Sequence, residues 1–116
     1  MFTDDKWRDE FGALSNTLYR LAKPYDDNKH YWVYDFHKGE NGNCWVQYYD
    51  HTTLDEKGRT GAGFHSQPEF YYLPSKGIRN KDAGNEKYKR LLADGYFLVG
   101  KFEQDICGRV RRVTER

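Results

Sequence analysis

Two cysteines in 116 residues, Cys44 and Cys107, are too few for a disulfide framework or, by themselves, for a tetrahedral zinc site. They lie far apart in sequence and are expected to be free, buried thiols. No apolar run reaches the roughly 18 residues that span a bilayer. The opening MFTDDKW has neither the basic nor the apolar region of a secretory signal. No membrane contact is expected, and the chain reads as cytoplasmic. Nucleophile elbows of the form G-x-S-x-G, phosphate loops of the form G-x-x-x-x-G-K-[ST] and dinucleotide fingerprints of the form G-x-G-x-x-G are all absent. GRTGAG at 58–63 has flexible glycines and Arg59, but with no strand before it and no helix after it, it reads as a surface loop. With no HExxH, no CxxC, no internal repeat and no low-complexity segment, neither a cofactor nor a metal is expected.

Hydrophobic residues make up only 37% of the chain and charged residues 32%, a balance that would favour disorder if the apolar side chains were small. They are large. Ten Tyr, seven Phe and three Trp supply the apolar surface, and an enclosed aromatic ring buries on the order of 150–250 Å². A few such rings furnish the core of one small domain, residues 1–116. The net charge of +1 hides a polarity: residues 1–75 hold 8 basic and 12 acidic side chains, residues 76–116 hold 11 and 6. Such a chain can meet an anionic partner with one end and repel it with the other.

Trp7, Phe11, Leu14, Leu18 and Leu21 recur at steps of four and three, which predicts an amphipathic helix from Thr3 or Asp4 to Lys23, ended by Pro24. Next, residues 30–37 and 44–51 flank GENGN, and Asn41-Gly42 suits a two-residue type I′ hairpin turn. That turn, or one longer by two residues, puts His30, Trp32, Tyr34 and Phe36 on one face with Trp45, Gln47, Tyr49 and His51. Tyr31, Val33, Asp35 and His37 then share the other face with Cys44, Val46, Tyr48 and Asp50. The N-terminal helix is expected to cover the first group. Residues 52–62 read as a polar loop adding little to the core. A third strand falls around 63–73, where Pro68 marks an edge, a bulge or a break. EKYKRLLADG reads as a short helix with Tyr88, Leu91 and Leu92 inward and Gly95 as its stop. YFLVGKFEQ and ICGRVRRV are the last strands. The fold class is α+β: two helices, one N-terminal and amphipathic and one short, on an antiparallel sheet of about four or five strands.

Histidine transfers protons near neutral pH, and His30 and His51 meet across the open end of the hairpin. A close histidine pair can act as general base and acid in RNA cleavage, with Arg109, Arg111 and Arg112 stabilising charge and Tyr34 or Tyr49 orienting it. An exposed pair at a hairpin end is also ordinary. His37, Cys44, Asp35 and His65 are the best alternative for a metal, without any supporting spacing. RNA or DNA binding draws on the sheet aromatics and on Lys76, Arg79, Lys81, Lys87, Lys89, Arg90, Lys101, Arg109, Arg111 and Arg112. No RNP1-like string accompanies them, and the chain pI near 7.8 is low for such a role. The favoured reading is a small, non-catalytic protein that binds another protein and blocks it, as inhibitors and immunity or phage anti-defence factors do. Tyr31, Tyr48, Tyr71, Tyr72 and the loop at 52–62 are the expected contact surface, with the three C-terminal arginines.

Overall fold

The computed structural model describes residues 17–39, 41–56, 58–61, 63–104 and 110–113, with side chains up to residue 101. Its elements are β1 (Thr17–Pro24), β2 (Tyr31–Lys38), β3 (Cys44–Thr52), β4 (Phe64–His65), β5 (Glu69–Leu73), β6 (Ile78–Arg79), α1 (Asp82–Ala93), β7 (Phe97–Gln104) and β8 (Val110–Val113). One sheet holds all eight strands in the order β6-β5-β3-β2-β1-β7-β8, with β4 also on β3. Every pairing is antiparallel. The molecule is mostly β, with more strands than the four or five expected. Pro68 does break the third strand of the sequence reading, into β4 and β5 on successive stretches of the same edge of β3.

The N-terminal helix needs correction. Residues 1–16 lie outside the described residues, but Leu18 and Leu21, the last two members of the stripe, belong to β1. β1 sits between β2 and β7, so both of its edges are paired, and side chains also pack on both of its faces. Tyr19 and Leu21 pack on one side, and Ala22 packs on the other. A strand buried on both faces loses the alternation that marks a half-exposed one. Its short apolar run then passes for helical spacing.

The hairpin register is also different. Opposed residues are Tyr34 and Tyr48, Phe36 and Val46, His37 and Trp45, and Lys38 and Cys44. The turn therefore holds an odd number of residues. The Gly39 N–H donates to Asn43 O (2.9 Å) and the Gly42 N–H to Gly39 O (3.0 Å). Gly42 has φ +84°, and the Asn41 side chain accepts from Asn43 N at 3.1 Å. Asn41-Gly42 thus lies in an odd-numbered loop in which Gly42, of the two, takes the left-handed position, rather than filling both places of a type I′ turn. One residue of difference moves β3 to the opposite face from the turn as far as the register slip between Tyr31 and Val33. Trp32 and Trp45 point to opposite sides, and so do Tyr31 and Tyr48.

The covering element is α1. Its Leu91 joins Leu21, Phe36 and Val46 in a core bordered by Tyr19, Tyr34, Tyr71, Tyr88, Tyr96 and Leu98. The helix starts four residues earlier than its sequence signal, Tyr88 and Leu91 face inward as expected, and Leu92 is exposed. At its end the Gly95 N–H donates to Leu92 O (3.2 Å) and the Tyr96 N–H to Leu91 O (3.0 Å). Gly95 sits at φ +98°, the paired bonds of a Schellman stop. The opposite face carries Ala22, Val33 and Val99, and Leu54 from the 53–61 loop packs on them. That loop adds to the core after all. Arg20 crosses beneath it, with Nη1 donating to Gly58 O at 3.0 Å. Among the described residues no helix is long and apolar enough to cross a membrane.

Candidate functional site

The end of the sheet opposite the Asn-Gly turn gathers the side chains most suited to chemistry or recognition. Between β1 and β2 the chain reverses through Tyr25–His30. Tyr25 N donates to His30 O (2.8 Å) and Asn28 N to Tyr25 O (3.2 Å), with Asn28 at φ +58°. Asp27 organises this turn: Oδ1 accepts from the backbone N–H groups of Lys29 (2.8 Å) and His30 (3.0 Å), and Oδ2 meets His30 Nδ1 at 2.7 Å. The N–H groups of Lys29 and His30, with the His30 ring, hold the Asp27 carboxyl well below the usual carboxylate range.

His51 reaches the same place from β3. The register slips between Tyr31 and Val33, so that Tyr31 opposes Thr52 while Val33 opposes Tyr49. At this bulge His51 takes φ +56°, a left-handed conformation uncommon for a residue with a Cβ. The extra residue turns the imidazole onto that of His30, with ring centroids 3.7 Å apart and planes within 11°. The expected pairing of the two histidines is therefore met, by a bulge. The rings touch face to face, and His30 Nδ1 is engaged by Asp27. Of the C-terminal arginines, Arg111 and Arg112 belong to β8, the far edge strand of the sheet, and Arg109 is outside the described residues.

Aromatic rings surround the histidines. Tyr25 stacks on Trp32 with centroids 4.1 Å apart and meets His51 edge-on at 5.1 Å, while its hydroxyl donates to Asp50. That bond, with the nearby Asp50 charge, raises the Tyr25 pKa. Directly across from Asp50, on β4, stands Phe64, a large apolar side chain that is 79% exposed. Tyr48, Tyr34 and Tyr96 continue the surface toward α1, with Tyr34 centroids 4.9 Å from Tyr48 and 5.4 Å from Tyr96. Lys87 lies 4.9 Å over Tyr34. Burial pushes the Tyr48 phenol up to about 12, helped by Asp50, and burial also raises Tyr34 and Tyr96.

The remaining residues expected to form one contact surface are dispersed. Tyr31 packs on the Ala22–Val33–Val99 side and meets Phe97 edge-on at 6.4 Å. Tyr71 borders the α1 core, and Tyr72 lies under Lys81, 5.2 Å from its ring centroid. The basic residues divide between α1 with its adjoining β5–β6 edge and the β7–β8 edge. Lys81 and Lys101 both line a cavity of about 340 Å³, with Tyr19, Phe36, Tyr71 and Tyr88. The grouping of His37, Cys44, Asp35 and His65 is not formed. His37 opposes Trp45 rather than Cys44, Asp35 is bound by Arg20, and His65 adjoins Tyr49. Cys44 is a free thiol.

Tyr25, Asp27 and Phe64 have no place in the sequence reading of the site. Asp27-Asn28 between two apolar runs was the available signal for the turn. Nothing in the sequence marks Phe64, whose exposure depends on a two-residue strand. The chain matches no family model, no curated protein and no solved structure.

Proposed function

We propose that this chain is a non-catalytic protein-binding factor of the inhibitor or immunity type, and that it engages its partner through the aromatic end of the sheet. The observation that carries this reading is Phe64, 79% exposed on the strand opposite Asp50, where Asp50 in turn accepts from Tyr25, the ring stacked on Trp32. Large rings with few rotatable bonds give contact area at low entropic cost, and they dominate binding energy where a polar rim excludes water. Asp27 and Asp50 supply that rim here. The partner is accordingly a protein that offers an apolar patch with an Arg or Lys, able to pair with the carboxylates and lie on the rings.

The test is a photo-crosslinking amino acid at position 64 in source cells, with the native chain purified in parallel. The expected result is one stoichiometric protein partner, crosslinked at 64 and lost on Phe64→Ala or Asp50→Asn. Recovery of the chain alone under gentle conditions, or a complex indifferent to both substitutions, would end this reading.

Binding of RNA or DNA is the second reading, favoured by the two lysines among aromatic walls in the 340 Å³ cavity. Phosphates at the Phe64 end would meet Asp27 and Asp50, so this reading belongs to the helix side. It requires an affinity that falls steeply with salt and drops on Lys81→Ala. Absence of salt-dependent binding would exclude it.

A further inference from the structure

We propose that Asp27, His30 and His51 form a binding site for a divalent transition metal ion of the Zn²⁺ or Ni²⁺ kind, contrary to the sequence expectation of no metal. One ligand atom from each residue lies within 4.8 Å of the other two. Two imidazoles and a carboxylate are a donor set that suits Zn²⁺, Ni²⁺ or Cu²⁺ and disfavours Mg²⁺ and Ca²⁺, which take oxygen alone.

Metal–nitrogen and metal–oxygen bonds of about 2.0–2.2 Å put neighbouring ligand atoms of a tetrahedral site about 3.3–3.5 Å apart. Asp27 Oδ2 and His30 Nδ1, now 2.7 Å apart in a hydrogen bond, open by less than an ångström when the ion takes the place of the bridging proton, which is released to solvent. His51 is exposed and its ring is stacked on His30 with no hydrogen bond to another described residue, so rotation about its Cβ–Cγ bond turns a lone pair from alongside His30 toward the ion. Three protein ligands leave a fourth position for water. The backbone supports the same assignment. Asp27 is fixed by two backbone N–H groups, and His51 is aimed at His30 by a bulge that holds it at φ +56°, a conformation adopted at a cost that a merely exposed histidine would not require. The site needs no partner protein; it shares Asp27 with the docking reading above, while Phe64 and Asp50, on which the test of that reading turns, take no part in it.

The experiment is calorimetric titration of the full chain, stripped with a chelator, with ZnCl₂. Variants are His51→Asn, which tolerates the left-handed backbone, Asp27→Asn, which keeps an acceptor for the turn amides, and His65→Asn as an off-site control. Circular dichroism establishes that each is folded. The expected result is one ion per chain, with affinity reduced by at least the roughly 10–100-fold that loss of an outer-shell partner costs in His51→Asn and in Asp27→Asn, and unchanged by His65→Asn. No saturable binding to the native chain overturns the proposal. So does binding that survives both on-site substitutions, or an equal loss in His65→Asn.

Discussion

Arg20 and Asp35 stand opposite each other on β1 and β2, each 1% exposed, joined by two 2.8 Å bonds from Nε and Nη2 to the two carboxylate oxygens. Removing both charges from water is costly, and the paired geometry offsets that cost only while both partners are present. Asp35→Ala leaves the guanidinium buried without its counter-ion, and urea unfolding is expected to show a loss of about 3–5 kcal/mol. Arg20→Met combined with Asp35→Leu is expected to recover most of it, since an apolar pair of similar volume asks for no desolvation. The double substitution, which takes away Arg20, also removes the anchor at Gly58 O, so amide exchange in the 53–61 loop is expected to rise with it. Phe64 is the contrasting case. Its ring is largely in water already, and Phe64→Ala is expected to change stability by no more than about 0.5 kcal/mol. A larger loss would mean that Phe64 serves the fold rather than a surface.

Among the elements, α1 depends on a glycine for its closeness to the sheet. A Cβ on Gly84 would stand 2.6 Å from Cζ of Tyr71 and 2.8 Å from its hydroxyl oxygen. In an isolated helix Gly→Ala gains about 1 kcal/mol. Here the ring borders the core under α1, and overpacking of that kind costs about 1–3 kcal/mol. Gly84→Ala is expected to lower the urea midpoint, and Gly84→Ala with Tyr71→Phe to recover only part, because two of the three close atoms are ring carbons. This contact was invisible in the sequence, as was the choice between helix and strand for residues 17–23. What could be read were features whose cause is local: the Asn-Gly reversal, the apolar side of α1 at Tyr88 and Leu91, the stop at Gly95 and the break at Pro68. What could not be read depends on neighbours distant in sequence. Leu18 and Leu21 fit either period until β2 and β7 enclose them, and the face of every residue in β3 depends on one extra residue in a turn. His30 and His51 were found together although the register that suggested them was wrong, because a bulge restored at the open end what the turn had shifted.

For the molecule as a whole, the abundance of tyrosine makes high pH the condition that tests the fold. Burial raises Tyr34 and Tyr96 and pushes Tyr48 and Tyr71 up to about 12, with Asp50 adding to Tyr48 and Cys44 to Tyr71. An unfolded chain releases these protons near pH 10. The folded state therefore binds protons more tightly than the unfolded state. Its advantage is complete below about pH 10 and shrinks as pH rises toward 12. The four rings lie on the α1 side of the sheet, Tyr34, Tyr71 and Tyr96 against its core and Tyr48 beside Tyr34. Their ionisation is accordingly expected to loosen the helix from the strands before the Ala22–Val33–Val99 side opens. Titration of tyrosinate absorbance at 295 nm should show a group of phenols lagging the exposed ones by up to about two pH units. Urea midpoints measured from pH 9 to 12 should fall over the same interval, and Tyr48→Phe should make that fall shallower. Stability that stays level to pH 12, or phenols that all ionise together near pH 10, would show that the aromatic side of the sheet is open to water and that α1 does not seal it.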